Sequence, residues 1–320
     1  MGTLSKSAKF LNANRRNYDP VSSMLSRRNL ITVAGATGIH GFAIADDVSE
    51  IVETRYYTTG PFGHIHVREA GPRTKSKLPP LVCFHQSPVS GAQYLLFQRV
   101  MAKSRRVLCP DTPGFGSSDP PPFVPSIADY SKALAGSLES LGFDSNTPVD
   151  VLGFHTGTLV AVEMAATRTD LVRKVVLSSL ALFTSEELAR NRAGFGGPRP
   201  LFEDPDYIKR YFEQQVTNGL SGMSPDRRFE LFVERLRSGA LSWYGPEAVF
   251  NYDTAGQAAK IAQPTLLLVL KDTLSENTRR AKAVIPNSIV VERQDIHGPA
   301  GWDSHPNEIA GEVRRFLDSP

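Results

Sequence analysis

Cysteine is scarce in this chain. Cys83 and Cys109 are the only two among 320 residues, which excludes a disulfide framework and leaves room for one bond at most. Both fall in short apolar runs that read as neighbouring buried strands, where a thiol packs as a small hydrophobe. An excess of one charge is also missing, since 36 Lys and Arg face 33 Asp and Glu. The small basic surplus is concentrated at the start: Lys6, Lys9, Arg15, Arg16, Arg27 and Arg28 meet a single acid, Asp19, within residues 1–45. The body is close to neutral and carries no nucleic-acid footprint. No apolar run reaches the ~18–20 residues that cross a bilayer comfortably, so no stable membrane span is expected. No internal repeat occurs. What remains, 41% hydrophobic and 22% charged residues, is the composition of a globular protein with a sizeable core.

The basic leader has its own order. Ser26-Arg27-Arg28-Asn29-Leu30-Ile31 resembles a twin-arginine export motif. An uncharged stretch over residues 30–45 follows, broken by Gly35, Gly38 and Gly41, and it ends in the small-x-small site Ala43-Ile44-Ala45. Residues 1–45 therefore read as a signal peptide that engages the twin-arginine machinery, and the mature protein is expected in the periplasm or secreted.

Past residue 45 the pattern becomes regular. Residues 53–58 and 64–69 read as two strands joined by the turn Gly60-Pro61-Phe62-Gly63. Short apolar runs at 81–84, 107–109, 149–152, 172–178, 265–269 and 288–293 read as further strands. Helical spacing fills 92–103, 127–141, 156–167 and 306–317. From about 184 to 251 the alternation stops, with Pro- and Gly-punctuated helices clearest at 207–216 and 226–237. Strand–helix alternation predicts an α/β fold with a mostly parallel sheet covered on both faces. The helical block predicts an insertion over the carboxyl edge of the sheet, where ligands bind in such folds.

The most informative segment is Val149-Asp150-Val151-Leu152-Gly153-Phe154-His155-Thr156-Gly157. An apolar strand runs into Gly-x-His-x-Gly and leaves as a helix containing Ala161 and Ala165. A strand-to-helix turn this sharp needs small residues on both sides, because it holds its middle residue in strained geometry and throws that side chain up at the sheet edge. The segment resembles the nucleophile elbow of the α/β-hydrolases, with His155 where serine, cysteine or aspartate is usual. The resemblance implies an eight-stranded, mostly parallel sheet over residues 46–320 and a helical lid at about 184–256. It gives roles to other residues in turn. His85-Gln86-Ser87-Pro88 stands where the family has His-Gly-x-Pro, so the N–H groups of Ser87 and Thr156 would form the oxyanion hole, worth roughly 3 kcal/mol per donor. His85, Gln86 and Phe154 would line the substrate pocket, with Gln86 adding a donor or narrowing the space. Asp111 opens a loop, Asp111-Thr112-Pro113-Gly114-Phe115-Gly116-Ser117-Ser118, that matches the family's Asp-x-Pro-Gly-x-Gly-x-Ser; a loop-fixing acceptor is the expected role for this acid. Lys271-Asp272 occupies the place of the triad acid, without the glycine that usually precedes it, and Ile296-His297-Gly298 that of the base. Elbow, acid and base follow the family's chain order. No cofactor and no metal are implied; His64 and His66 read as two positions on one strand face rather than a metal pair.

Three roles are open to His155. Its imidazole could attack a carbonyl and form a labile acyl-imidazole. It could act with His297 as a general base on water or on the substrate, as in a cofactor-free lyase. Or the site could bind a ligand without turnover. The expected function is hydrolysis of an ester or C–C bond in a small carbonyl compound, with the lyase and the binding protein as alternatives. Six phenylalanines in the helical block (Phe195, Phe202, Phe212, Phe229, Phe232, Phe250) point to an apolar substrate, although helix packing explains them equally well. If His155 and His297 face each other, their mutual repulsion should push one pKa below the free value of ~6.5.

Overall fold

Strands such as Leu81–Phe84 and Val107–Pro110 bury every side chain and so must be covered on both surfaces. The computed structural model describes residues 50–195, 197, 203–219 and 222–320, and it supplies that cover. The leader with its arginine pair and cleavage site, and Phe202 in the helical block, lie outside the described residues. Within the described chain β1 (Ile51–Gly60) and β2 (Gly63–Pro72) form a hairpin, followed by β3 (Leu81–Phe84), α1 (Leu95–Met101), β4 (Val107–Pro110), α2 (Ile127–Ser140), β5 (Val149–Phe154), α3 (Thr156–Thr167) and β6 (Val172–Ser178). Five helices come next: α4 (Ser185–Phe195), α5 (Pro205–Phe212), α6 (Pro225–Arg237), α7 (Tyr244–Phe250) and α8 (Thr254–Ala258). The chain then completes the sheet with β7 (Thr265–Lys271), α9 (Ser275–Arg280), β8 (Ser288–His297), α10 (Gly298–Ser304) and α11 (Pro306–Leu317).

The eight strands lie in the order β1-β2-β4-β3-β5-β6-β7-β8. The pairs β1/β2 and β2/β4 are antiparallel, and all others are parallel. Two apolar clusters sandwich the sheet. One includes Ile127, Leu134 and Leu138 of α2 with Leu159 and Val160 of α3. The other holds Phe97, Met101, Trp302, Ile309 and Val313 from α1, α10 and α11. Cys83 and Cys109, on β3 and β4, are free thiols buried in this second cluster. Helix starts follow local rules: Ser126 and Asp129 form a capping box on α2, while Asp204-Pro205 and Ser224-Pro225 cap and open α5 and α6.

Of the helices between β6 and β7, α6 and α7 touch the segments that follow β3 and β8. Arg227 on α6 donates to Asp303 at 2.9 Å and to the Ala92 carbonyl at 2.6 Å. Ser90 donates to Glu234 at 2.6 Å. Gly245 on α7 approaches Ser87 so closely that a Cβ there would lie 2.3 Å from the serine Cβ. Among the described residues, no helix is long and apolar enough to cross a membrane.

Candidate active site

The elbow is built by two close approaches. A Cβ on Gly157 would sit 2.0 Å from the Phe84 carbonyl oxygen, and one on Gly153 would sit 2.4 Å from the Gly157 oxygen. Only glycine at both lets α3 lie directly against β3 and β5. Between them His155 takes φ 52°, ψ −120°, a left-handed conformation that L side chains rarely adopt. Its ring is partly buried and reaches a cavity of about 730 Å³. The Nδ1 atom is buried without a hydrogen-bond partner; Nε2 is not enclosed in this way. Burial, with the positive charge of Arg235 adding to it, pushes the His155 pKa down to about 4. The ring is therefore neutral at physiological pH.

Ser87 and Thr156 line the same cavity as His155. Thr156 is the first residue of α3, so its N–H has no intrahelical acceptor. Both residues expected to supply oxyanion donors therefore line the cavity that His155 reaches. The remaining pocket assignments need correction. His85 is 1% exposed, and both its nitrogens are engaged: Nδ1 contacts the Gln86 carbonyl at 2.8 Å and Nε2 accepts the Thr112 N–H at 2.9 Å. Burial lowers its pKa against the opposing charge of Asp111, so it is a neutral joint between two loops, not a pocket wall. Phe154 is 1% exposed and packs 5.4 Å from Trp302 in the core, and it does not line the His155 cavity. Gln86 faces a different, smaller cavity.

Asp111 fulfils the structural role expected of it. Its carboxylate accepts from the N–H groups of Gly91 at 2.7 Å and Ser117 at 2.9 Å and lies 2.8 Å from His66 Nδ1. Burial opposes its ionisation, but the His66 contact and the neighbouring dipoles outweigh this and hold its pKa low. His64 is turned to Asp119 instead, and no cluster of three or more metal-ligating side chains occurs among the described residues.

Asp272 and His297 come to adjacent strand ends, with Lys271 of β7 opposite His297 of β8. A Cβ on Gly298 would lie 2.4 Å from Asp272 Oδ2, so the acid touches the backbone beside the base. The two side chains are not joined, however. Asp272 accepts from Ser179 Oγ and, at 2.8 Å, from the Leu274 N–H. Burial raises its pKa against these two bonds. The His297 residue is exposed. His297 is not among the residues that line the His155 cavity, and the low pKa of His155 arises from burial and the Arg235 charge, not from a second imidazole.

Two residues of the site escape the sequence reading. Ser179, at φ 58° just beyond β6, holds Asp272; the only signal is its place at the carboxyl end of a buried strand. Arg235 lies on α6 three residues after the buried Phe232, a helical spacing that puts both on one face, and both line a cavity beside Gln86. The elbow-side cavity also receives Phe183, Phe195 and Phe250, whereas Phe212, Phe229 and Phe232 pack on one another.

A family model described as the alpha/beta hydrolase family matches residues 82–312. No curated protein matches the sequence. Among solved structures, a hydrolase from Pseudomonas aeruginosa PA01 is similar at TM-score 0.66 and 17% identity, over 83% of this chain and 99% of that one. The enol-lactonase from Burkholderia xenovorans LB400 matches at TM-score 0.65 and 19% identity, over 82% and 100%. A thermophilic esterase from Thermogutta terrifontis matches at TM-score 0.61 and 21% identity, over 83% and 98%. At such identities the likeness establishes the fold alone.

Proposed function

The chain belongs to the alpha/beta hydrolase family, and on that premise we propose that it hydrolyses a small carbonyl compound, an ester or an activated C–C bond, with His155 as the attacking group. One observation carries this reading: a neutral imidazole stands on the strained elbow and lines, together with Ser87 and Thr156, a cavity large enough for a small substrate. A serine in this place needs a base to take its proton. An imidazole with its proton on Nδ1 already offers a lone pair on Nε2.

For an ester, Nε2 attacks the carbonyl carbon and the carbonyl electron pair moves to oxygen, where the two N–H groups hold the charge. Collapse breaks the C–O bond. The departing alkoxide takes a proton from water, and the hydroxide left behind attacks the acyl carbon. Carboxylic acid leaves and Nε2 regains its lone pair. A His155 pKa of about 4 makes the ring a poor base but a good leaving group, which favours this second step. His297, exposed at the end of β8 beside Lys271, would have to turn inward to hold the water. We further propose that residues 26–45 direct export, so that this chemistry takes place outside the cytoplasm.

With p-nitrophenyl acetate as a generic probe, His155→Ala is expected to abolish turnover. His297→Ala should show a burst of p-nitrophenolate followed by slow turnover, with the acyl mass on the peptide carrying His155. Turnover by His155→Ala at the wild-type rate would transfer the role to His297. A second reading, ligand retention without turnover, is favoured by the separation of Asp272 from His297. It predicts measurable affinity for a carbonyl ligand and no product from any.

A further inference from the structure

A second, smaller cavity of about 60 Å³ lies between the loop after β3 and helix α6. At the 10–15 Å³ that one water requires, it admits roughly four to six water-sized groups, enough for a carboxylate and an adjoining methylene. Its polar wall is made of amides and cations. Gln86, Gln93, Arg228 and Arg235 line it, and no acid does so among the described residues.

Several donors in this wall lack acceptors. Gln93 is 2% exposed; its Oε1 accepts the Gln86 N–H at 3.2 Å, but its Nε2 is buried without a partner. Arg228 gives Nη1 to the Gly219 carbonyl at 2.9 Å, while its Nε is also buried and unpartnered. The Arg235 guanidinium stacks over the Tyr211 ring at 4.6 Å and makes no ion pair among the described residues. Two acids of the same helix are turned elsewhere, Glu230 to Arg227 and Glu234 to Ser90, and the third, Asp226, does not line the cavity. Asp204, which shares an adjoining cavity with Arg235, caps α5 by accepting the Tyr207 N–H at 2.8 Å. A buried donor without an acceptor is costly, and an anion placed among two arginines and an amide satisfies all of them together.

We infer that this cavity is a carboxylate subsite of the His155 centre, so that the substrate is a small carbonyl compound carrying a carboxylate remote from the bond that is cleaved. The inference rests on the hydrolytic reading for what is cleaved, but not for what is bound. Arg235 connects the two places, because its side chain lines the smaller cavity and also an adjoining one whose wall shares Ser87, Phe195 and Pro246 with the His155 cavity. The apolar walls beside His155 then take the body of the substrate and the arginines its acidic end. Planar carboxylate suits a guanidinium fork.

Calorimetric titration of the full chain with succinate, dimethyl succinate and inorganic phosphate tests the binding. Succinate should bind about tenfold or more tightly than its diester, and Arg228→Gln and Arg235→Gln should each weaken it by about tenfold or more. Gln93→Leu, which keeps the arginines, should weaken it less, and thermal melting identifies any variant that fails to fold. Equal affinity for acid and diester, or unchanged succinate binding in folded arginine variants, overturns the inference. Arginine-dependent binding of phosphate in preference to succinate also overturns it, in favour of a phosphate ester. Kinetics separate the two readings: mono-p-nitrophenyl glutarate should exceed p-nitrophenyl butyrate in kcat/KM by about tenfold or more, and the ratio should collapse in the arginine variants. Arginine-dependent succinate binding without turnover of either ester would leave the subsite standing and remove hydrolysis. Equal turnover of both esters would do the reverse.

Discussion

At His155 a backbone conformation that side chains avoid and an imidazole nitrogen without a partner are held in one residue. Both cost stability, and both are tolerable where chemistry requires a poised group. The low pKa follows from the same burial and has two measurable consequences. The acid limb of the rate profile should fall near pH 4, not near the ~6.5 of a free histidine. A profile with its midpoint near 6.5 would show that another imidazole, such as His297, limits the rate. Stability should respond over the same range. The unfolded chain takes up this proton near pH 6.5 and the folded protein only near 4. Stability is therefore full above the unfolded value and is lost as pH falls from ~6.5 to ~4, by on the order of 2–3 kcal/mol for this group. Urea unfolding of wild type and His155→Gln at pH 7 and pH 4.5 measures it, and the variant should lose less.

The elbow as an element depends on contact between backbones more than on side chains. In Gly157→Ala a methyl group must enter a space 2.0 Å from the Phe84 carbonyl oxygen, so α3 has to lift from β3. Overpacking of this kind costs about 1–3 kcal/mol, and the upper end is expected because the obstacle is main chain. The same shift would carry the Thr156 N–H away from the substrate, so activity should fall further than stability does. At Gly136, inside α2, an added methyl group would meet nothing within 4 Å. Gly136→Ala should instead stabilise by about 0.5–1 kcal/mol. Urea midpoints of the two variants moving in the same direction would contradict this contrast. The elements themselves were largely legible in the sequence. The strands at 81–84 and 172–178 and the helices at 156–167 and 306–317 fall where apolar spacing puts them. The helix expected at 92–103 instead opens as a 3-10 turn over Gly91–Tyr94, where Ser90 caps Ala92 and Gly91 is pressed against the Cys109 carbonyl. Such a contact between distant segments leaves no periodic trace.

Over the whole molecule, the export proposal assigns the basic leader and the nearly neutral body to different stages in the life of the protein. Replacing both Arg27 and Arg28 by lysine keeps the charge and should strand the protein in the cytoplasm, because paired arginines of this signal tolerate lysine poorly. Cell fractionation with N-terminal sequencing decides it: wild type should begin at Asp46 outside the cytoplasm, and a soluble cytoplasmic protein still starting at Met1 would refute export. The body is determined at two levels. Sequence alone was sufficient for the α/β architecture, the strand-to-helix turn at His155 and the loop role of Asp111. Each of these is written in local spacing or in a contiguous motif, where the backbone itself imposes the residue type. Tertiary structure decided what those groups touch. It sent Phe154 and His85 into the core, tied Asp272 to Ser179 while His297 stayed exposed, and brought Arg235 from a distant helix into a cavity wall shared with Ser87. Partners of this kind are chosen by packing between segments far apart in the chain, and the charge, burial and hydrogen bonding that set the chemistry of His155 exist only after that packing is made.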